Sequence, residues 1–179
     1  MEHQRAADLL RFFRVAGRLK RTVRAGWALR GIQDPESVAD HTFRLCLLVL
    51  MLSGEVHPPL DRERCLAMAL VHDLGESIVG DITPYDGVPV EEKHRREGEA
   101  MAHLATLLGR GEIRELWEEY QAGATPEARF VKELDRLETV LQAAEYGEEQ
   151  GVELGEFRGM GERLALPVTR ALFSALGEA

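Results

Sequence analysis

The sequence predicts an all-α protein, a compact single-domain helical bundle. Three observations carry that expectation. Apolar residues recur every three or four positions through nearly all of the 179 residues, the period of helices with one buried face. Two capping residues stand directly before prolines, Asp34-Pro35 and Thr125-Pro126, and proline at the first helical position is pre-set for a helix start. No segment reads convincingly as a strand. The length fits one domain, residues 1–179.

Leu9, Phe12, Phe13, Ala16, Leu19 and Val23 make the stripe of a first amphipathic helix. Asp34-Pro35 starts a second, running to about Ser53, with Val38, His41, Leu45, Leu48 and Leu52 facing the core. Pro58-Pro59 is a loop, and Asp61 caps a third helix through Cys65, Leu66, Ala69 and Leu70 to His72 and Asp73, ended or loosened at Gly75. Glycines and prolines make residues 80–89 a loop. Val90 to Leu108 is a charged helix with Met101, Leu104, Leu107 and Leu108 as its apolar positions, and Ile113, Leu116, Trp117 and Tyr120 mark a short one. A long helix follows Thr125-Pro126 to about Tyr146, striped by Phe130, Leu134, Leu137, Leu141 and Ala144. Residues 147–161 are a glycine-rich acidic connector, and Leu164 to Leu176 a terminal helix bent at Pro167.

A net charge of −9 argues against a general binder of nucleic acid or membrane surfaces. The charge is uneven. Arg11, Arg14, Arg18, Lys20, Arg21, Arg24 and Arg30 fall between Leu9 and Gln33 with no acid among them. Such a strip is either a solvated helix face or an attractor for a small anion. The apolar run Leu45–Leu52 is far shorter than the ~20 residues of a membrane span, and polar Met1–Asp8 has no apolar h-region of a signal peptide. Cys46 and Cys65 lie in apolar stretches without metal spacing, so they are expected to be free thiols of a cytoplasmic protein.

Polar residues on apolar faces point to chemistry. His41 takes a core position, the third helix leads into His72 and Asp73, and Asp135 flanks the long helix's stripe. Each alone has an ordinary reading: a hydrogen-bonded core histidine, a chance dipeptide, a salt bridge from Asp135 to Lys132 or Arg136. Together, two histidines and two aspartates from three helices converge inward, which is how bundles build metal sites. An N₂O₂ set suits manganese, cobalt, iron, nickel or zinc, and magnesium stays among the candidate divalent ions. His3, His57, His94 and His103 read as tail, loop or solvated-helix residues.

At these residues the chain resembles the HD-domain superfamily, whose pattern is a histidine, a His-Asp pair and a later aspartate on helices. His72 follows His41 by 31 residues and Asp135 follows Asp73 by 62. The segments RTVRAGW, DPESVADHTFR, ALVHDLGESIVGDITP, EEKHRREGEAM, ELWEEY and FVKELDRLE are similar to the 5′-deoxynucleotidase subgroup, the HD-domain-containing protein 2 type. The likeness runs from about Leu9 to Tyr146.

The resemblance implies a metal-dependent phosphohydrolase that removes the 5′-phosphate from deoxyribonucleoside monophosphates. It implies that His41, His72, Asp73 and Asp135 hold the metal, and that Glu76 and Asp81 act on water or the leaving group. Those two, with the backbone of Ile82, are also the candidate ligands of a second ion. Arg24 and Trp27 would contact nucleotide, with Arg21 and Arg30 as neighbouring alternatives to Arg24. A homodimer is a family-level expectation. Read as residues alone, Glu76 and Asp81 fit a helix end and a turn, and Trp27 fits a core aromatic. The rival functions are another HD hydrolase, acting on a nucleoside triphosphate, guanosine polyphosphate or cyclic nucleotide, and a nucleotide-sensing protein with a structural metal. No GYP signature follows His72-Asp73, which disfavours the cyclic dinucleotide class.

Overall fold

The computed structural model of the chain describes residues 3–177; Met1, Glu2, Glu178 and Ala179, the ends of the predicted domain, lie outside the described residues. The α-helices are α1 (His3–Ala16), α2 (Ala25–Ala28), α3 (Val38–Leu52), α4 (Arg62–Val71), α5 (Glu76–Val79), α6 (Val90–Leu108), α7 (Glu112–Ala122), α8 (Pro126–Gln150), α9 (Arg158–Gly161) and α10 (Pro167–Leu176). Among the described residues there is no β-strand, only an isolated antiparallel bridge between Val23 and Ser37. The all-α expectation holds. No helix among the described residues is long and apolar enough to cross a membrane.

The helices gather into two units. One extends to Asp40 and resumes over Leu70–Glu118. In it α1 packs on α6, and α5 packs on α6 and on a 3₁₀ turn at Gly17–Lys20. The first helix is shorter than its apolar stripe predicts. It ends at Ala16, because Gly17 is a poor helix residue and the backbone beyond finds other partners. Arg24 N donates to Glu36 O (3.0 Å) and Val38 N to Thr22 O (2.8 Å).

The same pairing holds Glu36 and Ser37 out of the second helix, which starts at Val38 rather than after Asp34. Asp34 sits instead in the left-handed region at φ 49°. The working cap is Ser37, whose Oγ accepts from Asp40 N (3.2 Å) while Asp40 Oδ2 accepts from Ser37 N (2.9 Å), a reciprocal capping box.

Asp61 caps α4 as predicted, its Oδ1 accepting from Arg64 N (3.0 Å). The helix stops at Val71. Leu74 N donates to Val71 O and Glu76 N to Asp73 O, three-residue turns that carry His72 and Asp73 into α5. The α-helix therefore does not persist past Gly75. A Cβ on Gly75 would stand 3.3 Å from Glu97 O, so glycine there lets α6 lie close beneath this turn.

The other unit comprises His41–Ala69 and resumes at Glu119. Its core joins Leu45 and Val49 of α3, Cys65, Met68 and Ala69 of α4, and Phe130, Val131, Leu134 and Leu137 of α8. Thr125 caps α8 by accepting from Ala128 N (3.1 Å), with Pro126 at the first helical position. α8 runs to Gln150 and so includes Gly147, four residues beyond the expected end near Tyr146. The terminal helix starts at Pro167 instead of bending there.

Candidate metal centre and active site

His41 lies in the first turn of α3 and is fully buried. Its Nδ1 meets the carboxylate of Glu138, also fully buried, in a short contact. A carboxylate there requires Nδ1 to carry the proton, which leaves Nε2 as the donor nitrogen. Nε2 stands 3.1 Å from Asp135 Oδ1. Asp135 and Glu138 lie one turn apart on α8, so a single helix face reaches both ring nitrogens. Arg44 Nε donates to Glu138 Oε1 (2.9 Å), and Arg44 continues to Gln142 and Glu145 (2.6 Å each). Asp135 Oδ2 accepts from Tyr120 Oη (2.8 Å), and Lys132 lies over the Tyr120 ring.

The remaining candidates fall in the first unit. His72 is buried, and its Nε2 stands 2.9 Å from Asp73 Oδ2. Arg24 places Nη1 3.6 Å from the same oxygen. Glu76 is only 5% exposed, and its Oε2 is buried with no hydrogen-bond partner. Burial, and then the charges of Asp73 and Asp81, push the Glu76 carboxyl well above the usual range, against the pull of Arg24 and Lys93. Asp81 is anchored through Oδ2, which accepts from Ala25 N (2.8 Å).

Two of the candidates have structural partners of their own. Trp27 is 2% exposed and its Nε1 donates to Glu36 Oε1 (2.9 Å), so its surroundings are those of a core aromatic. The Ile82 carbonyl accepts from Lys93 Nζ (2.7 Å).

Sequence reasoning assigned no role to Glu138, Tyr120, Glu36 or Lys93. The legible signal for Glu138 was its place three residues after Asp135, on a helix whose neighbouring positions are core. His94, set aside as a solvated residue, is exposed and stacks on Trp117.

The donors present suit a divalent ion. Two ligands ~2.1 Å from one ion at right angles stand ~3.0 Å apart. His41 Nε2 with Asp135, and His72 Nε2 with Asp73, keep separations of 3.1 and 2.9 Å. A carboxylate on the far nitrogen of a ligating histidine is the usual outer partner that fixes its tautomer, the position Glu138 takes.

Comparison with known proteins identifies the family. A family model described as "HD domain" matches residues 16–164, extending past Gly147. The 5′-deoxynucleotidase HDDC2 of Bos taurus is 50% identical over 149 residues, 82% of this chain and 71% of that protein. The 5′-deoxynucleotidase hdd1 of Schizosaccharomyces pombe is 40% identical over 179 residues, 95% of this chain and 89% of that one. The crystal structure of the PH0347 protein from Pyrococcus horikoshii OT3 superposes with a TM-score of 0.82 at 32% identity, covering 94% of this chain and 98% of that one. The chain belongs to the HD-domain family, in the group whose curated members carry the name 5′-deoxynucleotidase.

Proposed function

We infer that this protein is a divalent-metal-dependent phosphohydrolase that removes the 5′-phosphate from deoxyribonucleoside 5′-monophosphates. The observation that carries the reading is its likeness, over most of the chain, to proteins named 5′-deoxynucleotidase. We propose that His41, His72, Asp73 and Asp135 hold the ion and that residues 1–179 act as one HD domain. When bound, such an ion polarises a phosphoryl oxygen and acidifies water.

The chain's own residues supply the rest. Arg24, beside Asp73, offers a planar guanidinium to phosphate oxygens. Burial, and then the neighbouring charges of Asp73 and Asp81, raise the pKa of the Glu76 carboxyl, which suits it to hold and deliver a proton. Its Oε2 has no other partner and is the atom from which that proton passes to the departing 5′-oxygen. Asp81 is held near Glu76 by the Ala25 amide. Trp27, buried and held by Glu36, would back the sugar site from the core side, and an apolar backing leaves a ribose 2′-hydroxyl unpaired at a cost of about 1–3 kcal/mol.

The test is phosphate release from a panel of nucleotides after chelation and reloading with manganese, cobalt, magnesium, iron, nickel or zinc. The reading expects activity only with metal, and dAMP favoured over AMP by about 5- to 150-fold. Glu76→Gln should lower kcat by roughly 100-fold or more while one ion stays bound. Preferential cleavage of triphosphates, guanosine polyphosphates or cyclic nucleotides would replace the substrate assignment, and inertness on every compound would favour the sensing reading.

A homodimer in a cytoplasmic setting completes the proposal. Its support is the outer face of α3, where Phe43, Leu47, Leu50 and Met51 are all exposed. An antiparallel second copy centred on Leu47 would cover that stripe with its own. Light scattering should give twice the chain mass, and Leu47→Glu should give the monomer. Cys46 and Cys65 are free thiols, in keeping with a reducing compartment.

A further inference from the structure

We propose that Tyr85, backed by Arg30, is the surface on which the substrate's nucleobase stacks. The inference rests on the deoxynucleotidase reading and adds the base contact that reading lacks.

Tyr85 is 68% exposed, yet it stands on a rigid turn. Thr83 and Asp86 form a capping box in which Asp86 Oδ2 accepts from Thr83 N (2.6 Å) and Thr83 Oγ1 accepts from Tyr85 N (3.2 Å). Pro84 fixes the first position and Gly87 closes the turn in the left-handed region at φ 67°. An exposed aromatic on a stiff turn loses little freedom on binding, which is the economy of a stacking platform.

Arg30 lies over one face of the ring, which remains largely exposed. Its guanidinium carbon is 5.5 Å from the ring centroid, its Nη2 donates to Tyr85 Oη (3.3 Å), and its Nη1 donates to Gly26 O (2.7 Å). Placement then specifies the ligand. The segment from Arg24 to Arg30 meets the segment from Asp81 to Tyr85 at two points. At one end Ala25 N meets Asp81 Oδ2, and at the other Arg30 meets Tyr85. The first contact lies beside the groups assigned to phosphate and leaving oxygen. The second lies five residues on, ~7.5 Å along a helical path, comparable with the reach from a nucleotide's phosphorus to its base. Stacking on a π-face recognises any base without hydrogen-bond readout, in keeping with weak discrimination among bases.

The experiment compares deoxynucleoside 5′-monophosphates with 2-deoxyribose 5-phosphate, which has no base to stack. In Tyr85→Ala, kcat/KM for dAMP relative to kcat/KM for 2-deoxyribose 5-phosphate should fall about fivefold or more. The loss should appear in KM, and be larger for purines than for pyrimidines. Tyr85→Trp should restore the ratio, and the inhibition constant of deoxyadenosine should rise in Tyr85→Ala. An unchanged ratio with an unchanged inhibition constant, in a variant that still cleaves dAMP, overturns the platform alone. A wild type inert on every deoxynucleotide overturns the deoxynucleotidase reading and this inference together.

Discussion

His41 is a polar side chain in the interior, its Nδ1 held by Glu138 and its Nε2 turned toward Asp135, with which it is proposed to share the ion. Burying it with either side unanswered would cost free energy. Glu138 therefore acts through His41, and the prediction at this scale separates ligand from support. Glu138→Gln keeps the shape and removes the charge, so metal affinity should fall about 10- to 100-fold in a calorimetric titration. Asp135→Ala should lose the ion nearly altogether. Equal affinity in Glu138→Gln and wild type would show that the carboxylate does not tune the histidine. A second residue-scale prediction concerns Asp86. Bonds from the Thr83 hydroxyl and amide hold its carboxyl below the ordinary 3.8. A lowered folded pKa means that the capping box is fully formed above the ordinary value and is lost as pH falls through the lowered one. An NMR titration of the carboxyl should give a midpoint under 3.8, moving up in Thr83→Ala; a wild-type midpoint at or above the ordinary value would contradict the box.

At the scale of elements, the site depends on short turns between helices. α4 ends at Val71 and α5 begins at Glu76, so His72, Asp73 and Glu76 lie on and just after a run of three-residue turns instead of on one face of a continuous α-helix. The C-terminal helix is held in another way. Glu133 of α8 is buried and accepts from Ala165 N (2.9 Å), Leu166 N (2.6 Å) and the Thr169 hydroxyl, so one carboxylate satisfies donors at the start of α10. Gly161 lies directly under the Phe173 ring, where any Cβ would overlap it. Glu133→Ala should destabilise the protein by about 1–3 kcal/mol, seen as a Tm several degrees lower and faster proteolysis within residues 151–166. A Tm unchanged within a degree would show that α10 is held by its apolar contacts alone.

For the whole molecule, the expected ion is a folding ligand as well as a cofactor. A group that binds only the folded state at one hundred times its Kd adds about 2.7 kcal/mol, or roughly 5–10 °C of Tm for a chain of this size. Chelation followed by thermal denaturation should show that drop, reversed by the ion that restores phosphatase activity. An identical Tm with and without metal, confirmed by elemental analysis, would argue against a site built from buried histidines.

Sequence alone determined the helical class, most helix positions and the residues proposed as ligands, because helical periodicity and ligand chemistry are written locally in residue type. Ser37 capped α3 where Asp34 was expected because residues 22–24 pair with 36–38, a tertiary contact that overrides a strong local start signal. Glu138 on His41 joins residues 97 apart, Tyr85 on Arg30 joins residues 55 apart, and Lys93 takes the Ile82 carbonyl from α6. Only the tertiary structure decided these, because a hydrogen bond between distant residues leaves no period in the chain and is fixed by how the helices pack.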